Sequence, residues 1–174
     1  MTAIVVMGVS GCGKTTIGRA LADQLGCPFF DADDFHPPEN IKKMANGIPL
    51  TDTDRAPWLS RLQALIHRNL ADGVILACSA LKRRYRDQLR EGNDGLQFVY
   101  LHGDFDTIWA RMQTRHNHYM KPDMLHSQFA TLEPPGPEEA IQVNITDEVA
   151  KIVEQITNLS TKENDKKRNY PDIY

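Results

Sequence analysis

The chain has 174 residues, of which 41% are hydrophobic and 25% charged, and these values predict one soluble globular domain. Its 20 basic and 23 acidic residues give a net charge of −3, which argues against a nucleic-acid partner bound through a strong positive field. No apolar run approaches the roughly 20 residues of a membrane span, so we expect no membrane partner. An odd number of cysteines and a first segment without signal-peptide features predict a cytoplasmic protein.

The first predicted strand, Ala3–Met7, leads into a glycine-rich phosphate loop, residues 8–15. This loop fits the pattern G-x-x-x-x-G-K-[ST], and a helix is predicted directly after it at Lys14–Leu25. Backbone N–H groups of such a loop point at phosphate oxygens, the lysine neutralises the β- and γ-phosphates, and the threonine hydroxyl suits Mg²⁺. A glycine-rich turn without a ligand is the alternative. The pattern favours a bound nucleoside triphosphate, contacted by Gly8, Val9, Ser10, Gly11, Cys12, Gly13, Lys14, Thr15 and Thr16.

Two carboxylates accompany the end of the second predicted strand, Pro28–Asp31. Asp31 and Asp33 are two residues apart, so a continued strand would turn both towards the crevice where α/β sheets bind ligands. One carboxylate would help to hold Mg²⁺, and the other would accept a proton from an attacking hydroxyl group. The alternative is a pair of solvated loop acids or helix caps.

The next two predicted helices are Pro38–Asn46 and Trp58–Leu70, and Arg55 lies just before the second one. The cap of that helix is predicted at Asp52 or Asp54. A cation at a helix N-terminus opposes the helix dipole, so Arg55 requires a partner. That partner is either one of the two aspartates or the carboxylate of an anionic substrate.

The third predicted strand, Val74–Cys78, is followed by Ser79 and a helix at Lys82–Glu91. Small residues and unpaired N–H groups at this junction suit a polyol or an acid at close approach. The helix carries a run of basic side chains, for which a solvated face is the alternative. Among them, Lys82 and Arg86 are the candidate substrate contacts.

The remaining predicted elements are a strand at Leu96–Leu101, a helix at Asp104–Arg115, a strand at Ile141–Ile145 and a helix from Asp147 to about Leu159. We predict a mobile lid over about residues 111–128, in which Arg115 reaches the phosphates and Arg111 stacks on the base. Residues 161–174 are charged and poor in aliphatic side chains. They are predicted to form a flexible tail after a single domain of residues 1–160.

Strands that alternate with helices predict a three-layer α/β fold, with a five-stranded parallel sheet and helices on both faces. The sequence has no Asn-Lys-x-Asp segment of the kind that guanine-selective switches carry after a late strand. The phosphate loop, the aspartate pair and the lid arginines together favour a small-molecule kinase.

Five stretches together resemble the small P-loop gluconate kinase family, a relative of shikimate kinases and nucleoside monophosphate kinases. They are MGVSGCGKTTIG, FFDADDFHPPENIKKMANGIPLTDTDRAPWL, CSALKRRYRDQLR, YLHGDF and SQFATLEPP, and they extend to about Pro135. The sequence departs from the family pattern at two positions. Cys12 stands where the family usually has Ser, and Asn117 stands where a Gly commonly precedes the lid histidine.

The resemblance implies transfer of the γ-phosphoryl group of ATP to the 6-hydroxyl of D-gluconate, which gives ADP and 6-phospho-D-gluconate. This reaction belongs to gluconate catabolism and feeds the pentose phosphate pathway. The resemblance implies Mg²⁺ at Thr15 and Asp31, with Asp33 as the base and Lys14 and Arg115 at the transferred phosphoryl group. It also implies a homodimer and gluconate contacts at His36, Arg55, Ser79, Lys82 and Arg86.

Three other interpretations of the sequence stay open. A kinase of the same fold could take shikimate, adenylylsulfate or a nucleoside monophosphate as its acceptor. A nucleotide-dependent binding switch would need a protein partner and no small acceptor, and the aspartate pair and lid arginines argue against it. A nucleic-acid end-processing enzyme is disfavoured by the net charge of −3.

Overall fold

The computed structural model describes residues 2–114 and 122–169, the stretch 162–169 by its backbone alone. Each strand is followed by one or two helices, and in the described chain a 3₁₀ turn, Ala32–Phe35, comes directly after the second strand. The strands are β1 (Ala3–Met7), β2 (Phe29–Asp31), β3 (Val74–Ala77), β4 (Gln97–His102) and β5 (Ile141–Asn144). The helices are α1 (Lys14–Leu25), α2 (Pro38–Ala45), α3 (Asp52–Asn69), α4 (Arg83–Arg90), α5 (Phe105–Gln113), α6 (Pro122–Thr131) and α7 (Val149–Asn169).

The five strands form one parallel sheet in the order β2-β3-β1-β4-β5. The central strand is β1, where Val5 lies opposite Leu76 of β3 and Phe98 of β4. Because β3 and β4 lie on opposite sides of β1, a crevice opens beyond the carboxyl end of β1, which is where open α/β sheets bind ligands. The phosphate loop begins at this point.

Alternate side chains of β1 enter two separate cores. Ile4 and Val6 pack in the core that α1, α5, α6 and α7 complete on one face. Val5 and Met7 pack in the core that α3 and α4 complete on the other face. Both sides of the sheet are covered, which is why its strands are almost continuously apolar in sequence. The predicted three-layer fold with helices on both faces of a five-stranded parallel sheet is confirmed.

Helix α3 begins earlier than its apolar pattern predicts, and its cap differs from the predicted one. The N-cap is Thr51, whose hydroxyl accepts the N–H of Asp54 while the Asp54 carboxylate accepts the N–H of Thr51. This capping box, rather than Asp52 or Asp54 alone, starts the helix. Pro57 lies inside α3, where it removes one backbone hydrogen bond without ending the helix.

Two further differences concern the predicted lid and tail. Residues 122–128 of the predicted lid belong to α6, whose first residue is Pro122 and whose buried side chain is Leu125. Residues 115–121 lie outside the described residues. Helix α7 continues to Asn169 through much of the predicted tail, because the Lys- and Glu-containing run is compatible with a helix. Within the described chain, no helix is both long and apolar enough to cross a membrane.

Candidate active site

The phosphate loop leaves β1 in a backbone conformation that requires glycine at two points. Gly8 has a φ of 140°, and a Cβ there would lie 2.6 Å from the carbonyl oxygen of Leu101 in β4. Gly11 has a φ of 82°, and a Cβ there would lie 2.5 Å from Cγ of Met112 in α5. The loop therefore packs closely against β4 and α5, and a residue larger than glycine does not fit at position 8 or 11.

Lys14 and the N-terminus of α1 give the phosphate loop a positive environment that suits an anion. Lys14 Nζ donates to the carbonyl oxygen of Val9 at 3.0 Å, so the ammonium group lies across the loop. Gly13 is the N-cap of α1, and within the described structure no side chain caps this helix and no acidic residue occupies its first turn. The first N–H groups of α1 are thus left for a ligand, and the helix dipole favours a negative one.

A side chain from α6 makes a two-point contact with the phosphate loop. The N–H of Ser10 donates to Oε1 of Gln128 at 2.7 Å, and Nε2 of Gln128 donates to the Ser10 hydroxyl at 2.9 Å. Sequence reasoning missed Gln128, although it lies in the stretch SQFATLEPP that carries part of the family resemblance. This contact connects the helix after the predicted lid directly to the phosphate loop.

Two oxygen donors at the end of the loop suit a magnesium ion. The Thr15 hydroxyl donates to Oδ2 of Asp31 at 3.0 Å, so the loop and the end of β2 meet here. Mg²⁺ prefers hard oxygen ligands and usually takes one or two protein ligands together with phosphate oxygens and water. No group of three or more His, Cys, Asp or Glu suited to a metal occurs among residues 2–114 and 122–169. The pair therefore fits Mg²⁺ that arrives with a nucleotide.

Asp33 lies close to this pair, but it does not belong to a continued strand as predicted. Strand β2 ends at Asp31, and Asp33 belongs to the 3₁₀ turn that follows, with its N–H donating to Oδ1 of Asp31 at 3.2 Å. Partial desolvation in the cleft raises the pKa of Asp33, and the Asp31 charge adds to the rise, although 86% of the side-chain surface remains accessible. The charges of Lys14 and His36 act in the opposite direction.

A buried histidine, His36, lies beside Asp33. His36 stacks on Trp58 with ring centroids 4.3 Å apart, and its Nε2 lies 4.0 Å from Oδ1 of Asp33. Trp58 Nε1 in turn donates to the carbonyl oxygen of Ala32 at 2.7 Å, which fixes the turn that carries Asp33. Burial lowers the pKa of His36, and Arg55 lowers it further against the opposing effect of Asp33. The histidine is therefore a neutral side chain at physiological pH.

Asp52 and Asp54, the predicted ion-pair partners of Arg55, bind other side chains. Arg55 donates to the carbonyl oxygen of Leu50, and its guanidinium carbon lies 5.9 Å from the centre of the Tyr85 ring. Asp54 accepts Lys43 Nζ at 2.7 Å, and the hydrogen bonds from Lys43 and Thr51 hold the pKa of Asp54 at about 2.

Asp52 gathers the basic groups at the start of α4. It binds Lys82 Nζ at 3.0 Å and Arg84 Nη2 at 2.5 Å, and it accepts a hydrogen bond from the Tyr85 hydroxyl. The Tyr85 bond is the largest of the effects that lower the pKa of Asp52, and the Lys82 bond is the next. The predicted substrate contact Lys82 is thus held by an acidic partner on the same side of the sheet as Arg55.

The structure gives Arg86 partners within the fold. Its side chain is 1% exposed and binds Glu139 through two bonds, Nε to Oε1 at 2.5 Å and Nη2 to Oε2 at 3.2 Å. Its Nη1 donates to the carbonyl oxygen of Ala80 at 3.0 Å, where the backbone has a φ of 44°. Ser79 is next to this strained residue, and its carbonyl oxygen accepts the N–H of Gly8 at 3.3 Å. Arg86 therefore shapes the turn beside the phosphate loop instead of facing the crevice.

Of the two arginines predicted for the lid, the structure describes Arg111 alone. Arg111, near the end of α5, donates through Nη2 to the carbonyl oxygen of Ile145, just after β5. Arg115 lies outside the described residues, as do the other residues of the predicted lid from 116 to 121. Cys12 is buried within the phosphate loop, in agreement with its interpretation as a small residue that fills a loop position.

The carboxyl end of β3 brings the charged groups of the site together. Burial raises the pKa of the Cys78 thiol, which directly follows β3, to about 12, and the charges of Lys14, Asp33 and Asp31 all act on this thiol. The Lys14 ammonium group, Asp31 and Asp33 therefore all lie near the carboxyl end of β3. A site of this composition can bind a polyphosphate and deprotonate a hydroxyl group beside it.

The central strand β1 leads into a phosphate loop, and the edge strand β2 ends in Asp31 with Asp33 in the turn that follows. This arrangement is that of a P-loop kinase. Residues 10–167 match the family model described as shikimate kinase. Kinases of this class take ATP as their co-substrate.

Comparison with more similar proteins narrows this class. The chain is 47% identical over 169 residues to a probable gluconokinase of Mus musculus, with 86% of this chain and 92% of the relative covered. It is 46% identical over 156 residues to the thermosensitive gluconokinase of Escherichia coli K12, with coverages of 87% and 83%. A crystal structure of a gluconokinase from Sinorhizobium meliloti 1021 aligns with a TM-score of 0.83 at 44% identity, over 95% of this chain and 97% of that one. The chain belongs to the gluconokinase family.

Proposed function

We propose that this protein is a gluconokinase, which transfers the γ-phosphoryl group of ATP to the 6-hydroxyl of D-gluconate. The observation that carries the proposal is the 3.0 Å contact between Thr15 of the phosphate loop and Asp31, with Asp33 two residues further on. It joins a triphosphate site to an acidic group that can receive a proton from an alcohol. The gluconokinase relatives supply the identity of that alcohol.

On the nucleotide side, residues 8–16 surround the phosphates, the N–H groups at the start of α1 bind them, and Lys14 neutralises their charge. The N–H groups of Gly8 and Ser10 already donate to Ser79 and Gln128. Thr15 and Asp31 would hold Mg²⁺, and the ion would reduce the negative charge of the phosphates. Arg111 lies against the loop after β5 and is the candidate to stack on the base. Arg115 is the candidate cation for the transferred phosphoryl group. Positioning and charge neutralisation, rather than covalent chemistry, supply most of the catalysis in such a site.

On the acceptor side, Asp33 is the general base. The 6-hydroxyl oxygen of gluconate forms a bond to the γ-phosphorus as the bond from that phosphorus to the β-γ bridging oxygen breaks. ADP leaves with the electron pair, and the hydroxyl proton passes to the Asp33 carboxylate. The Asp33 side chain is 86% exposed, so an acceptor hydroxyl group can reach this carboxylate directly.

Gluconate is held by groups around Asp33, with Arg55 as the partner of its carboxylate. His36, Ser79 and Lys82 are the remaining contacts, and they come from the segment after β2 and the junction after β3. Arg86 is left out of this set because all three of its nitrogens donate to groups of the fold.

The cellular compartment and the oligomeric state belong to the same proposal: a cytoplasmic homodimer. The three cysteines, all in the described part of the chain, form no disulfide, which supports a cytoplasmic enzyme. A homodimer follows from the family resemblance, and sedimentation at twice the mass of the chain would support it. Nucleic acids and membranes are not partners in this proposal.

The test is a turnover assay with purified protein, ATP and Mg²⁺, in which ADP release is coupled to a spectroscopic readout. The acceptors are D-gluconate, other sugar acids, shikimate, adenylylsulfate and nucleoside monophosphates. We expect gluconate to be the preferred acceptor and 6-phosphogluconate to be the product by ³¹P NMR. Preference for another acceptor would replace gluconate within the same reaction class, whereas acceptor-independent hydrolysis of ATP would favour a nucleotide switch.

A further inference from the structure

A buried asparagine on α2 contacts the histidine beside Asp33. Asn40 is 3% exposed, and its Nδ2 donates to the backbone carbonyl oxygen of Asp54 at 2.8 Å. A carbonyl oxygen can only accept a hydrogen bond, so the amide group must present its nitrogen here and cannot be turned around. The second proton of the same nitrogen faces Nδ1 of His36 at 3.4 Å.

This arrangement determines which nitrogen of His36 carries the proton. Nδ1 faces an N–H donor, so it must present its lone pair, and the proton of the neutral ring is then on Nε2. Nε2 is the atom that lies 4.0 Å from Oδ1 of Asp33. The stack on Trp58 fixes the plane of the ring, so the Nε2–H bond has a fixed direction.

We propose that Asn40 is a positioning residue for the phosphoryl acceptor: it holds His36 as the Nε2–H tautomer and so maintains one fixed hydrogen-bond donor beside the Asp33 carboxylate. The tautomer is a property of the unliganded protein. The identity of the acceptor, a polyhydroxy acid whose oxygen takes this hydrogen bond, rests on the proposed function.

The other charged groups around His36 agree with a neutral ring. Asp33 faces it from the 3₁₀ turn and Arg55 faces it from α3, and their effects on the ring oppose each other. Desolvation is the largest effect and disfavours the imidazolium form. A proton on Nδ1 would in addition point at the donor of Asn40, so both influences favour the same neutral tautomer.

The chemical consequence is a complementary pair at the acceptor site. The Asp33 carboxylate accepts a proton and His36 Nε2 donates one, so a polyhydroxy acid can be bound by a donor and an acceptor at adjacent oxygens. With the opposite tautomer, two acceptors would face the substrate, so Nε2 could no longer donate to a carboxylate oxygen or to a hydroxyl oxygen whose proton is used elsewhere. Losing a hydrogen bond of this kind, with a buried group left unpaired, costs roughly tenfold or more in binding.

The first measurement is the tautomer itself, by ¹⁵N NMR of the imidazole nitrogens in the full unliganded protein. The chain has six histidines, and the signals of His36 are assigned from their loss in His36→Gln. We expect the Nε2–H tautomer in the wild type, and a shift of the proton to Nδ1 in Asn40→Asp, which replaces the donor with an acceptor. A wild-type ring protonated on Nδ1 would overturn the inference, and this spectrum requires no variant of Asn40 to fold.

The second measurement is steady-state kinetics with gluconate and ATP. Asn40→Asp should lower kcat/KM for gluconate about tenfold or more while KM for ATP stays unchanged. The matched control is Asn46→Asp, because the side chain of Asn46 is exposed at the end of the same helix and donates to the carbonyl oxygen of Lys42 at 2.9 Å. This control should behave as the wild type.

A double-variant experiment separates positioning of His36 from a general disturbance of α2. In His36→Gln the side-chain amide can present an N–H donor in place of Nε2, and it has no tautomer to lose. Asn40→Asp should therefore have much less effect in the His36→Gln background than alone, and an equal effect in both would overturn the inference. If gluconate is no substrate for the wild type, the proposed function fails while the NMR result still decides the tautomer.

Discussion

Replacing Arg86 by alanine separates its structural role from the role predicted by sequence resemblance. The guanidinium group is 1% exposed and binds Glu139, which is itself 13% exposed, through both carboxylate oxygens. It also donates to the carbonyl oxygens of Ala80 and Leu81 at 3.0 and 3.3 Å. The substitution therefore removes the main partner of a buried carboxylate and the side-chain donor to the Ala80 carbonyl group, whereas the Leu81 carbonyl group keeps the N–H of Glu133 at 2.8 Å.

The size of the effect follows from these partners. Removing one member of a buried ion pair typically costs about 3–5 kcal/mol. Glu139 keeps a second partner, because Arg90 Nη1 lies 3.4 Å from its Oε1, so we expect a loss near the lower end, about 3 kcal/mol. For a chain of this length, that loss corresponds to a decrease in Tm of about 6–12 °C.

The loss should also depend on pH in a defined direction. The hydrogen bond from Arg86 is the largest effect that lowers the pKa of Glu139 below its ordinary value of 4.5. A depressed pKa in the folded state stabilises the protein above the unfolded pKa, and this contribution disappears as the pH falls through the folded-state pKa. The difference in unfolding free energy between wild type and Arg86→Ala should therefore narrow as the pH is lowered below about 4.5.

The assay is thermal and urea unfolding followed by circular dichroism, together with KM for gluconate. Arg83→Ala is the matched control on the same helix, since the Arg83 side chain is 75% exposed and its Nε lies 4.0 Å from Oδ2 of Asp87. We expect this control to change stability by no more than about 0.5 kcal/mol. If Arg86→Ala unfolds like the wild type and only KM for gluconate rises, the structural interpretation is refuted and Arg86 is a substrate contact.

Four substitutions test the remaining parts of the site by steady-state kinetics. Lys14→Ala should lower kcat by about a thousandfold, because the ammonium group neutralises the transferred phosphoryl group, and near-normal turnover would exclude the phosphate-loop assignment. Asp33→Asn should lower kcat by roughly 10²–10⁴ while ATP affinity, measured by calorimetry, stays unchanged; retained turnover would remove Asp33 as the base. Arg55→Ala should raise KM for gluconate more than KM for ATP, and the reverse pattern would move Arg55 to the nucleotide side. Gln128→Leu removes both bonds to Ser10 and should raise KM for ATP more than KM for gluconate, whereas unchanged kinetics would make this contact irrelevant to nucleotide binding.

Most of the fold follows from local patterns in the sequence. Apolar runs bounded by turn residues identify all five strands, because a parallel strand covered on both faces is apolar at nearly every position. The beginning of α3 was missed because its first turn, Asp52 to Arg55, carries charges and depends on the capping box of Thr51 and Asp54. Helix α6 was missed because its residues were assigned to the lid, although Leu125 and Phe129 have the i,i+4 spacing of one helix face.

Some residues of the candidate site can also be predicted from a short segment of sequence, whereas others depend on contacts with distant segments. The phosphate loop is readable because one short segment holds the glycines, the lysine and the threonine that phosphate binding needs. Asp31 and Asp33 were found by their position after a strand, although the predicted alternation along that strand is replaced by a 3₁₀ turn. The alternation of residues in a strand does not reveal where the strand ends and such a turn begins.

Partners that lie far apart in sequence decide the roles of the remaining residues. Arg86 resembles the other basic side chains of α4, and only Glu139, 53 residues later, makes it a buried structural group. Gln128 meets Ser10 across 118 residues, so neither residue indicates the contact by itself. Asn40 shows the same dependence over a shorter distance, because the carbonyl group of Asp54 orients its amide and thereby selects the tautomer of His36. A motif can therefore indicate which residues surround a ligand, but the protonation and direction of each side chain depend on contacts that exist only after the chain has folded.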